Sequence, residues 1–211
     1  MAEHTHDIDR TTTGRKDPLA FGRSDRWGLV GLLALLAVIT VVGRVVYPVL
    51  GWVEGLPVPT EVVSPVVVPV LEGTGLEHGP GTYDVLVPVH GTGLRLLSLL
   101  PGVLVAVAVL VGCWLLLQVI RSIAAGDPFT PANVARLRGM AALLVFGSAL
   151  VFFVEMAVTG VLLGSVDLLG SEPAFRLDFP WGPLLAGMVV AMLGEAFKVG
   201  SRLRHDVDGL V

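Results

Sequence analysis

Charge is scarce in this chain. Only 15% of its 211 residues are Asp, Glu, Lys or Arg, against roughly 25% in ordinary globular proteins. A single cysteine, Cys113, sits inside an apolar run, which excludes a disulfide framework and a thiolate metal site. Aromatic residues make up 7%, and no stacking platform or basic recognition helix points to nucleic acid. The net charge of −4 is too small to imply a polyanionic partner. No His/Cys/Asp set has metal-ligand spacing, no Gly-x-Ser-x-Gly turn occurs, and no lysine follows a glycine-rich phosphate loop. These absences leave a non-enzymatic protein without a cofactor. What is abundant is apolar: 54% of residues are hydrophobic and the mean hydropathy is +0.80. A 22.2 kDa soluble domain could not bury that much apolar surface.

Four runs approach the ~20 residues that cross a bilayer as a helix. They are residues 27–50, 96–120, 140–163 and 181–197. A membrane β-barrel needs short segments of alternating polarity, and these runs are continuous. The expected fold is therefore an all-α membrane protein, a four-transmembrane-helix bundle. Arg10, Arg15, Lys16, Arg23 and Arg26 precede the first run, Arg121, Arg136 and Arg138 lie between the second and third, and Lys198, Arg202 and Arg204 follow the fourth. The opposite loops hold Arg176, with Arg95 at the foot of the second run. Lys and Arg stay on the cytoplasmic side, so both termini are expected in the cytoplasm of a multi-pass inner-membrane protein. Twenty-six mostly polar residues precede the first run, and Val45-Val46-Tyr47-Pro48 stands where a cleavage site would need small residues. The run therefore reads as a retained anchor, not a signal peptide.

The connecting segments differ in character. Residues 1–26 read as a flexible tail, in which His4 and His6 are too few to fix a metal. Residues 51–95 form an acidic outer loop, with Glu54, Glu61, Glu72, Glu77 and Asp84 and no lysine or arginine before Arg95. Valine-rich stretches at 61–71 and 83–90 flank a turn-rich 72–82, the pattern of a β-hairpin. Pro65, Pro69 and Pro88 confine those strands to edges or irregular pairing. An isolated hairpin is marginal in water, so this cap is expected to lean on the bundle, the membrane interface or a copy of itself. Residues 121–139, 164–180 and 198–211 make the remaining loops and tail.

Polar groups inside the runs need explanation. Counting about 1.5 Å per residue puts Glu155 about 22 Å along the third run and Arg44 about 25 Å along the first. Intramembrane acids are usually paired or functional, so an Arg44–Glu155 ion pair is expected, with Arg95 in reserve. The functional alternative makes Glu155 a proton- or ion-relay carboxylate. Gln118, Arg121, Glu195 and Lys198 form a second polar cluster at the inner interface, where Glu195 and Lys198 pair along one helix. Small residues four apart (Gly160 and Gly164, Ala108 and Gly112, Gly182 and Ala186, Gly187 and Ala191) suit close helix packing, within the chain or in a homo-oligomer.

The inner loop, Gly126-Asp127-Pro128-Phe129-Thr130-Pro131 leading to Asn133, Arg136, Leu137 and Arg138, carries the strongest local signal. Thr130 is a good N-cap and Pro131 suits the first helical position, so a helix should begin here and run into the third span. With Gly200, Leu203 and Asp206 in the tail, this loop resembles DUF2975, a family of small four-helix bacterial membrane proteins of unknown function. The shared pattern is Gly126, Pro128, Phe129, Asn133, Leu137 and Arg138, although Gly139-Met140 stands where an Ile-Gly is common. The resemblance implies a pairing with a small cytoplasmic helix-turn-helix regulator that the protein would sequester or signal to. Phe129, Asn133, Arg136, Arg138 and Asp206 would then form the docking surface; the alternative reading tucks Phe129 under the bundle and pairs the charges within the chain. Twelve arginines against two lysines suggest a GC-rich actinobacterial source. The rival function is a small transporter or channel component using Glu155.

Overall fold

The structure, a computed structural model, describes residues 23–64, 81–165 and 179–208. The first rod comprises α1 (Arg23–Val41), a π-helical turn (Val42–Val46) and α2 (Tyr47–Val53). An antiparallel hairpin follows, β1 (Val58–Ser64) with β2 (Gly81–Val87), and then α3 (Thr92–Ala124). The third rod joins α4 (Pro131–Ala142), a second π turn (Leu143–Gly147) and α5 (Ser148–Gly164), and α6 (Trp181–Asp208) is the fourth. Each rod holds a stretch long and apolar enough to cross a membrane: Trp27–Val53, Thr92–Ala124, Pro131–Gly164 and Trp181–Leu203. The chain is a multi-pass membrane protein.

Both π turns have local causes. Pro48 lacks the N–H that would bond the Arg44 carbonyl four residues back, so the ladder widens and Tyr47 N–H reaches Val42 O instead. At the second, the Ser148 hydroxyl donates to the Leu144 and Val145 carbonyls, competing with the backbone ladder.

The principal helix contacts follow chain order, first rod on α3, α3 on the third rod, and third rod on α6. Glycines permit each approach. A methyl group on Gly102 would lie 2.2 Å from the Arg44 carbonyl oxygen, and one on Gly187 would lie 2.7 Å from Val145 Cγ2. Gly112 faces Leu143, and Gly139 faces Leu115. Of the glycines in the four-residue repeats, Gly164 and Gly182 meet no neighbour within 4 Å.

The hairpin pairs Val58 with Val87 through to Ser64 with Gly81. Its strands are displaced from the valine-rich stretches, because Pro59 is accommodated in β1 while β2 stops before Pro88. Most of the expected turn at 72–82 lies outside the described residues. The hairpin is rooted in the bundle: Val87 and Val89 are buried with Val158, Leu162 and Leu163, and Val58, Leu94, Leu97 and Val154 pack around them. Arg95 Nη1 donates to Trp52 O at 2.8 Å and its Nε to Val89 O at 3.3 Å. Arg95 therefore ties the first rod and the hairpin root to α3. It is not a reserve partner for Glu155. A second core lies toward the other end, where Val119, Leu137 and Met140 are enclosed by Leu115, Leu116, Val190 and Phe197.

Candidate functional site at the basic end of the bundle

The connection between α3 and α4 is built around one enclosed amide. α3 ends with Gly126 in the left-handed region (φ +84°). Its N–H donates to Ile123 O at 3.0 Å, and Asp127 N–H donates to Ser122 O at 3.1 Å. That pair of bonds is a Schellman closure, which needs a residue without a Cβ penalty at this position. The turn brings Thr130 to the head of α4, where its hydroxyl accepts from Asn133 N–H at 3.2 Å.

Asn133 is 0% exposed, and its side-chain amide is fully used. Nδ2 donates to Ser122 Oγ at 2.8 Å and to Pro128 O at 2.9 Å, while Oδ1 accepts from Arg136 Nη1 at 2.7 Å. A guanidinium can only donate, which fixes which end of the amide faces Arg136. Ser122 passes the chain on by donating to Asp127 O at 2.7 Å. Arg136 also reaches Gln118 O at 3.5 Å. Asn133 thus holds the end of α3, the turn and the start of α4 together. Because it is enclosed, it cannot orient a docked partner, and the expected docking role for Asn133 is corrected.

Phe129 is exposed yet held on one side. Its ring lies 5.3 Å from that of Phe197, centroid to centroid, and a Cβ on Gly200 would come within 2.8 Å of it. The aromatic therefore latches the turn onto α6, and Gly200 is the residue that admits it. Phe129 still leaves 41% of its surface exposed. Glu195 on α6 accepts from Arg138 and, at 3.1 Å, from Lys198, so the expected Glu195–Lys198 contact forms and gains Arg138. The side chains of Gln118 and the exposed Arg121 make no hydrogen bond or ion pair among the described residues. The side chain of Asp206 lies outside the described residues, as do His4 and His6.

Every motif residue with a described contact now has a structural part, from the Gly126 turn to the Gly200 seat. A family model described as a protein of unknown function (DUF2975) matches residues 77–211. The chain belongs to the DUF2975 family. The match begins at the second half of the hairpin and takes in α3 to the end of the chain, including the whole Asn133 assembly; the first rod lies outside it. No curated protein and no solved structure matches.

Arg44 and Glu155 are not brought together. Both side chains are exposed, and neither has a hydrogen bond or ion pair among the described residues. The reason is lateral: the first rod packs on one part of α3 and α5 on another, with no substantial contact between the two. Among the described residues, no group of three His, Cys, Asp or Glu is placed to hold a metal.

Proposed function

We propose that this DUF2975 member is a non-enzymatic membrane protein that docks a cytoplasmic protein partner at its basic end. The observation that carries the reading is the Asn133 assembly. It spends a buried, fully bonded amide on a connection that a short polar turn could make, and it holds a half-exposed Phe129 in a fixed place. Prepositioning an aromatic lowers the ordering cost of binding, and aromatic residues often dominate interface energetics. Exposed Arg121, Arg138 and Arg202 border the same end. The complementary partner presents an apolar seat for the ring and acidic groups around it. The family resemblance suggests a small helix-turn-helix regulator, sequestered at the membrane or released from it. The excess of Lys and Arg at this end supports its placement in the cytoplasm with both termini.

The transport alternative draws less support, because Glu155 lies on the exposed surface of its rod and not among the helices. A photo-crosslinking residue introduced at Arg121 tests the docking reading in native membranes. The expected product is a covalent adduct with a soluble DNA-binding regulator, reduced about tenfold by Arg202→Glu in the same chain, as the loss of a charge contact at an interface would give. Adducts with lipid alone, or with nothing, would overturn it.

A further inference from the structure

The first rod and α5 each carry one exposed charge of opposite sign within the apolar region. Their relative depth follows from the contacts each rod makes with α3. Leu33 O lies 3.8 Å from Cys113 Sγ, and the Arg44 carbonyl abuts Gly102, so the first rod runs antiparallel to α3 with Arg44 level with Gly102. On the other side Leu143 lies level with Gly112. Counting up the antiparallel rods from there brings Glu155 level with Leu100, about 3 Å from the Gly102 level. The charges share a depth, just inside the hairpin end of the apolar region, yet α3 separates their rods.

We infer that Arg44 of one copy of this chain pairs with Glu155 of a neighbouring copy, and that the protein assembles in the membrane as a homo-oligomer through these two faces. Intramembrane charges are costly unless paired, and neither has a partner within its own chain among the described residues. Their signs are complementary and their depths agree to about 3 Å, so a second copy in the same bilayer, held upright by the same four spans, presents the missing charge near the correct height with little tilt. The open arrangement supports this. Among the described residues the first rod packs chiefly on α3, and Leu35, Leu36, Val38, Ile39 and Val42 along it are exposed. The π turn contributes by local geometry. Pro48 frees the Arg44 carbonyl, which settles against Gly102, while the guanidinium remains at the surface. Single π turns inside helices occur frequently at functional sites.

Reciprocal charge reversal tests the pairing. Arg44→Glu and Glu155→Arg chains, carrying different tags, are expressed separately and together, and assembly is read by co-purification of tags and by mass in lipid nanodiscs. Each variant alone places like charges opposite each other and should assemble at least about tenfold less than the original chain. Mixed, the two variants restore complementary pairs between copies, so assembly should return. That rescue also shows that both variants fold. The inference is overturned if the original chain is monomeric in nanodiscs, or if the single reversals assemble as well as it does. It is also overturned if the double reversal within one chain restores stability while the mixture does not associate, which would mean pairing inside a copy. Sensitivity to Arg44→Glu with indifference to Glu155→Arg would overturn it too, assigning Arg44 to a lipid phosphate. None of these outcomes depends on a cytoplasmic partner, so this inference and the docking reading stand or fall separately.

Discussion

Asn133 shows how a residue can be conspicuous in sequence and misread in role. Its position after a capped helix start suggested an exposed polar contact, but the amide is enclosed by the two helices it joins. Replacing it with alanine strands the Pro128 carbonyl, deprives Arg136 of its acceptor and leaves the Ser122 hydroxyl with its bond to Asp127 O alone. The expected loss is about 2 kcal/mol, the usual cost of an orphaned buried polar group. Thermal unfolding in detergent should show it as a midpoint lowered by several degrees, about 5 °C for a chain of this size. An unchanged midpoint would mean that the network contributes nothing. Gly200→Leu tests the neighbouring latch: it should displace Phe129, costing about 1–3 kcal/mol through overpacking, whereas the same change at Gly164, which meets nothing within 4 Å, should be close to neutral. Arg44 and Glu155 were misjudged for a different reason. Depth adds up residue by residue along a rod and can be counted from sequence. Azimuth depends on which helix lies between, and no count of residues supplies it.

At the level of elements, the four spans and the hairpin were legible because each rests on a run of residue types with one period. The start of α4 was legible too, since Thr130 and Pro131 satisfy the first-turn geometry locally. The two π turns were not. A single widened turn leaves no mark on hydropathy, and only Pro48 and Ser148, seen beside the carbonyls they deprive or capture, explain them. The junction of the first rod with α3 can be tested at Gly102. Gly102→Ala places a methyl against a backbone carbonyl that cannot rotate away. We expect the first rod to shift, with a loss of about 1–3 kcal/mol. Gly28→Ala, where nothing lies within 4 Å, should leave stability unchanged or slightly raise it through helix propensity. Equal effects at the two sites would contradict the close approach.

For the molecule as a whole, the distribution of Lys and Arg makes a strict expectation of topology. Reporter fusions at Arg10, Gly126 and Val211 should all report the cytoplasm, and one at Gly79 the opposite side. A cytoplasmic signal at Gly79 would contradict the arrangement of spans. The hairpin root has a mechanical consequence that follows from where it sits. Val87 and Val89 pack between the hairpin-end parts of α3 and α5, while Asn133 clasps α3 to α4 at the opposite end. The two middle rods are thus fastened at both extremities and behave as one stiff strut. The flanking rods are pinned to that strut, the first by the Gly102 approach and the Arg95 bond to Trp52 O, and α6 by Phe129 and Arg138, so a push on either one is carried into the middle pair.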